Sequence, residues 1–127
     1  MRGTLNDRSL IYLQIAQMLE DDILRGVYAE GDQVPSTNEL SRAFNINPAT
    51  AGKGINLLVA DGIVHKKRGL GMFVTEGAKK LILAKRQKAY YDTFVRPMVK
   101  EGLSLSLSAE DIMTMVKTAM EEGAIET

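Results

Sequence analysis

A mainly α-helical fold with one small β hairpin is what this 127-residue sequence predicts. Three observations carry that expectation. Apolar residues recur at helical spacing along most of the chain. Helix start and stop signals follow one another closely between Gly26 and Gly62. Two short β-prone runs flank a glycine-containing tip at residues 68–71. A 45% apolar share suffices for a core, and the length suits one domain with a small appendage.

The first helix is expected from about Ser9 to Arg25, where Ile11, Ile15, Leu19 and Ile23 form one apolar face beside Met18. Gly26 suits the left-handed position just past its end. Residues 27–34 read as a connector rich in Gly and acids. Pro35 blocks helix, and Ser36-Thr37-Asn38-Glu39 has the spacing of a capping box that opens a second helix. That helix ends near Phe44, with Asn45 as a left-handed cap. Asn47 then reads as an N-cap and Pro48 as the first residue of a third helix, which runs to about Asp61. Ala51, Ile55, Leu58 and Val59 form its inner stripe, and Gly62 ends it.

Two helices joined by so short a turn make a helix-turn-helix candidate. Residues 63–67 and 72–74 then pair as a basic hairpin around Arg68-Gly69-Leu70-Gly71, in the position of a wing. The rest is helical: about Glu76 to Lys100, interrupted by Pro97 near Val95 or Arg96, then a connector over 101–107. A last helix opens at Ser108 with acids in its first turn, and Gly123 closes it. Ile112, Met115, Val116, Ala119 and Met120 give it an apolar stripe. Four of the seven Met fall between Met98 and Met120, which points to an adaptable helical surface.

Composition removes several function classes. Zero Cys excludes a disulfide scaffold, a thiolate metal site and a Cys nucleophile. A single His leaves little for metal binding or acid–base catalysis, so neither an enzyme nor a metal or other cofactor is expected. The chain shows no signal peptide and no run of 18 apolar residues, so no membrane association and a cytoplasmic location are expected.

Residues 9–74 resemble the winged helix-turn-helix domain of GntR-family bacterial transcription regulators. The resemblance rests on Tyr12 and Gln14-Ile15, on Gly31-Asp32-Gln33-Val34-Pro35-Ser36, and on Glu39-Leu40-Ser41. It continues through Ile46-Asn47-Pro48-Ala49-Thr50, Leu58, Asp61-Gly62 and the run from Arg68 to Val74. The Ile-Asn-Pro-Ala-Thr string and the short tail look most like the YtrA-like subfamily. Many family members carry Arg where this chain has Asn38 and Pro48. The resemblance implies residues 1–75 as the DNA-binding domain and residues 76–127 as a helical dimerisation tail. It implies a dimeric repressor that reads a two-fold operator in double-stranded DNA. A winged-helix protein-interaction module that has lost DNA binding is the alternative, motivated by Asn38 and Pro48.

A DNA reader needs groups for phosphates and groups for base edges. Ser36, Thr37 and Asn38 lie at a helix N-terminus, whose free N–H groups favour a phosphate. Asn47, Pro48, Ala49, Thr50 and Lys53 occupy the first turns of the third helix, the part that enters the major groove in this motif. In the wing, Lys66, Lys67 and Arg68, next to His65, can straddle phosphates or enter the minor groove, with Gly69 and Gly71 permitting a tight tip. Gly52 and Gly54 are costly within a helix, so the backbone there closely approaches either DNA or the second helix in the core. Leu83, Tyr90, Phe94, Met98, Ile112, Met115 and Met120 are the candidate dimer contacts. The expected partner set leaves room for a small-molecule effector that the sequence does not name.

The zero net charge is an average over opposed blocks. Residues 20–39 carry a net −5 and residues 101–127 another −5, while residues 42–88 hold ten bases against two acids, a net +8. The basic block spans the third helix, the wing and the start of the tail. A neutral total therefore does not argue against DNA.

Overall fold

The computed structural model describes residue 5 and residues 10–126. The chain divides into two compact units, residues 1–85 and residues 86–127. In the first, helix α1 spans Ile11–Leu24, so the expected start at Ser9 lies outside the described residues. Ile15, Leu19 and Ile23 are buried on its inner face, and Gly26 takes the left-handed conformation (φ 82°) that stops it.

Helix α2, Thr37–Phe44, opens on a complete capping box. The Glu39 N–H donates to Ser36 Oγ and the Ser36 N–H donates to Glu39 Oε1, both at 3.1 Å. Asn45 closes the helix in the left-handed region (φ 51°). Helix α3, Pro48–Ala60, begins at Asn47, whose Oδ1 accepts the Ala49 N–H at 2.8 Å. Ala51, Ile55 and Leu58 are buried as their spacing requires. Val59, expected on the same stripe, is 41% exposed, because the face pressed into the core is narrower than four residues per two turns.

Gly54 explains how closely α3 lies on α1. A Cβ there would sit 2.9 Å from the Tyr12 carbonyl oxygen and 3.0 Å from an Ile15 methyl. The close approach at Gly54 is therefore to α1, not to the second helix that the sequence suggests, because the inner stripe of α3 seats on Tyr12 and Ile15. At Gly52 a Cβ would make only ordinary contact, 3.7 Å from the Thr37 side chain.

Strands β1 (Val64–Lys67) and β2 (Gly71–Val74) pair antiparallel, with Val64 opposite Val74 and Lys67 opposite Gly71. Residues 31–34, expected to be a plain connector, add a third edge. The Val34 N–H donates to the Met72 carbonyl at 2.9 Å, and the Val74 N–H donates to the Asp32 carbonyl at 2.9 Å. The polar alternation of a strand is absent from Gly31-Asp32-Gln33, so only the partner strand reveals it.

Helix α4, Ala78–Tyr90, anchors Ala78 and Ile82 in the core of the first unit. Its Lys85 ammonium meets Glu20 Oε2 at 2.6 Å and Asp61 Oδ2 at 2.8 Å, and the Glu20 side chain is only 2% exposed. Burial alone would lower the Lys85 pKa. Hydrogen bonds to Asp61 and Glu20 outweigh that and hold it above its ordinary value of 10.5.

In the second unit the proline breaks nothing. A π-helical turn, Tyr91–Val95, leads into helix α5, Arg96–Ser104, which carries Pro97 in its first turn. The Arg96 N–H donates to the Tyr91 carbonyl five residues back. This wider turn accommodates a ring that lacks a donor and would crowd the carbonyl four residues earlier. The expected connector over 101–107 is thus helical to Ser104. Helix α6, Ala109–Glu126, opens with Ser108 and Asp111 capping each other at 2.9 and 3.0 Å. The backbone hydrogen bond from Ser108 comes first among the causes that lower the Asp111 pKa. Gly123, expected to end this helix, lies inside it, since one glycine costs only about 1 kcal/mol in a helix. A Cβ on Gly102 would lie 2.9 Å from the end of the Ile112 side chain, so α5 and α6 also meet through a glycine.

Two stability outcomes follow from these contacts. For Gly54→Ala, a propensity gain of about 1 kcal/mol opposes an overpacking cost of about 1–3 kcal/mol. The clash is with backbone, which cannot swing away, so urea denaturation should show a net loss; a net gain would show that α1 and α3 can separate freely. Lys85→Met should cost about 1–2 kcal/mol, above an exposed pair and below a buried one because Lys85 is half in solvent. Since the folded pKa is raised, this contribution is complete below pH 10.5 and fades as pH rises through the folded value. The gap in melting temperature between wild type and Lys85→Met should accordingly narrow above pH 10.5, and a constant gap would mean that packing alone was lost.

Candidate nucleic-acid interface

The interface is assembled by two helix starts and a hairpin, all within the first unit. The capping box places Ser36, Thr37 and Asn38 on the first turn of α2, with Ser36 and Asn38 exposed and Thr37 half-buried. The left-handed turn at Asn45 then starts α3 afresh within three residues. Burial of the stripe Ala51, Ile55 and Leu58 turns Ala49 and Lys53 outward, while Thr50 is half-buried. Asn47 and Pro48 are exposed at the head of that face. The cap engages the Asn47 side-chain oxygen, so its amide nitrogen remains available as a donor.

Wing residues Lys66, Lys67, Arg68 and Gly69 are all exposed. Gly69 and Gly71 have φ values of 78° and 123°, which β-carbon-bearing residues rarely adopt, so the tip depends on glycine at both. Lys67 lies with its ammonium 4.4 Å from the Phe73 ring centroid, and Lys53 lies 4.2 Å from that of Tyr12. Among the described residues, no ion pair engages Lys53, Lys66, Lys67 or Arg68. These cations rest on aromatic faces or in solvent rather than against carboxylates, and their charge is open to an anionic partner. His65 Nδ1 is 3.0 Å from Thr75 Oγ1, a local tie across the foot of the hairpin.

A cleft of about 360 Å³ brings part of this set together. Ser36, Thr37, Asn38, Lys66 and Gly71 all line it. Asn47, Ala49, Thr50 and Lys53 do not line it; α3 contributes Ile55 and Asn56 instead. Asn56 was missed in the sequence, although it lies one helical turn past Lys53 on the outward face and carries the donor and acceptor pair that suits a base edge. Gln33 also lines the cleft and was missed because its segment was read as a connector.

In the second unit, the Tyr90 and Phe94 rings pack with centroids 5.7 Å apart and planes tilted by 51°, and are 62% and 63% exposed. Met98, Met115 and Met120 are exposed as well, and so is Leu83 on α4. Ile112 is half-buried because it packs over Gly102. Among the described residues, no cluster of His, Cys, Asp or Glu is arranged to hold a metal ion, and no helix is long and apolar enough to cross a membrane.

Known proteins agree with this architecture. Residues 11–74 match the family described as bacterial regulatory proteins, gntR family. Over 65 residues the chain is 45% identical to the probable fructoselysine utilization operon transcriptional repressor of Escherichia coli, covering 51% of this chain and 27% of that protein. It is 38% identical over 69 residues to the HTH-type transcriptional repressor YtrA of Bacillus subtilis, covering 54% of this chain and 53% of the relative. The chain thus spans about a quarter to a half of the length of these relatives.

Among solved structures, a putative GntR-family transcriptional regulator from Bacteroides thetaiotaomicron superposes with a TM-score of 0.75 at 32% identity. It covers 89% of this chain and 98% of its own, so the likeness extends into the helical tail. The DNA-binding domain of AraR in complex with operator ORX1 superposes with a TM-score of 0.51 at 29% identity, over 59% of this chain and 92% of that one. The helix-turn-helix, the wing and these matches together place the chain in the GntR family of bacterial regulatory proteins.

Proposed function

We propose that this chain is a sequence-specific, DNA-binding transcription regulator that acts as a homodimeric repressor in the bacterial cytoplasm. The observation that carries the reading is the set of wing bases that have no carboxylate partner among the described residues, on the same unit as the outward face of α3. Residues 1–75 are the DNA-binding part: α3 enters the major groove, with Asn47, Ala49, Thr50 and Lys53 nearest the base edges. Ser36, Thr37 and Asn38 take a phosphate at the start of α2. Lys66, Lys67 and Arg68 neutralise backbone phosphates beside the groove, with Gly69 and Gly71 letting the tip come close. The complex of the AraR DNA-binding domain with operator ORX1 supports DNA as the partner of this fold.

Residues 76–127 supply the second copy. One small module makes too few base contacts to select a site in a genome, and a two-fold dimer reads two half-sites. The exposed Tyr90, Phe94, Met98, Met115 and Met120 give the tail an apolar surface that suits a partner chain. Repression then needs only occupancy of the operator. Any small-molecule effector would act by favouring one state of that dimer.

Replacing Lys66, Lys67 and Arg68 with Ala should weaken binding to all duplexes and flatten the slope of log affinity against log salt by about 2–3, close to 0.9 per lost phosphate contact. Fluorescence anisotropy at several salt concentrations measures this, and an unchanged slope would remove the wing from the interface. A charge at the tail surface should act differently. Phe94→Asp should shift sedimentation from dimer to monomer and lower affinity for a two-fold site more than tenfold, leaving half-site binding intact. A variant that remains dimeric would move the interface away from Phe94.

A further inference from the structure

We propose that Gln33 is a positioning residue of the wing, holding the tip at a set distance from the start of α2 through its side-chain amide; the inference rests on the DNA-binding reading above. The backbone of Gln33 bridges to Phe73 on the outer edge of β2. Its side chain runs along the hairpin to the turn, where Nε2 donates to the Leu70 carbonyl at 2.9 Å, across 37 positions of sequence. Within the hairpin the Leu70 N–H donates to the Lys67 carbonyl. Gln33 adds a hydrogen bond to the same residue from outside the hairpin.

Gly71 makes room for that side chain. A Cβ at Gly71 would lie 2.5 Å from Gln33 Nε2 and 3.5 Å from Cδ, so the amide occupies the space a larger residue would need. The positive φ at Gly71 and the missing side chain serve the same arrangement. Gln33 is three residues before the Ser36 cap, and both line the cleft that Lys66 and Gly71 close. The segment that starts α2 therefore also clamps the wing. Lys66 and Lys67 end β1 and Arg68 opens the clamped turn, so a tip that swings would lose the pre-organised spacing between wing and α3.

Gln33→Met keeps the length of the side chain and removes the donor. Wild type, Gln33→Met, the Lys66/Lys67/Arg68→Ala triple variant and their combination are titrated against a duplex enriched from a random-sequence pool by the wild-type protein. Gln33→Met alone should weaken binding by about threefold to tenfold, the range one hydrogen bond spans. On the triple-Ala background the same change should have less than about a twofold effect, because nothing remains for the clamp to position. An equal effect on both backgrounds would make Gln33 a direct DNA contact and overturn the proposal, as would no effect on either.

Amide hydrogen exchange on the free protein supplies a readout that needs no DNA. Leu70 and Gly71 should exchange several-fold faster in Gln33→Met while the amides of α1 stay protected. Unchanged exchange at the tip overturns the clamp. If wild-type protein binds no duplex at all, the DNA-binding reading fails, and the exchange rates still decide whether Gln33 holds the tip.

Discussion

At Gly54 the backbone of α3 lies so close to α1 that a methyl group would sit 2.9 Å from the Tyr12 carbonyl oxygen. Much else depends on that approach. It sets which face of α3 is buried, and so which face carries Ala49, Lys53 and Asn56 into solvent. It brings Lys53 over the Tyr12 ring. With α3 seated, its C-cap Asp61 stands within reach of Lys85, which joins α1, α3 and α4 through one ammonium group. A glycine that is costly by helix propensity is kept because the helix pair needs the missing side chain.

Charge is organised by the same frame. The net charge of zero conceals a +8 block between two acidic ones, and the fold puts the basic residues of α3 and the wing on one unit. Acidic segments elsewhere limit indiscriminate attraction to a polyanion, so affinity concentrates where the shape also fits. The wing cations add to this by resting on an aromatic ring or in solvent, with no carboxylate among the described residues for DNA to displace.

The parts of this arrangement that are written in local chemistry were legible from the sequence. Ser36 and Glu39 cap each other, Asn45 turns left-handed and Asn47-Pro48 restarts a helix because the reason for each lies within four residues. What was not legible depends on distant partners. The strand-like pairing of Gly31 to Val34 exists because β2 presents a free edge, and nothing in that segment alternates. The role of Gly54 required knowing that Tyr12 and Ile15 lie opposite. Pro97 looked like a break, yet a π-helical turn absorbs it, a choice made by backbone geometry rather than by any single residue. Gly123 looked like a stop and lies within α6, because a helix can tolerate an isolated glycine. The exposure of the wing bases is legible from their place in a hairpin. The place of Asn56 and Gln33 beside the same cleft is not, because an isolated amide carries no pattern.

The tail is the plainest case of a surface whose meaning lies outside the chain. Under the proposed reading its exposed aromatic and Met side chains meet a second copy, the partner that a two-fold DNA site would require. The most direct test of the whole account is selection of duplexes bound by the intact protein from a random-sequence pool. The account predicts enrichment of a two-fold symmetric site whose half-sites lie about one helical turn apart, or a multiple of it. A pool that returns no sequence preference, at salt low enough to permit binding, would contradict it.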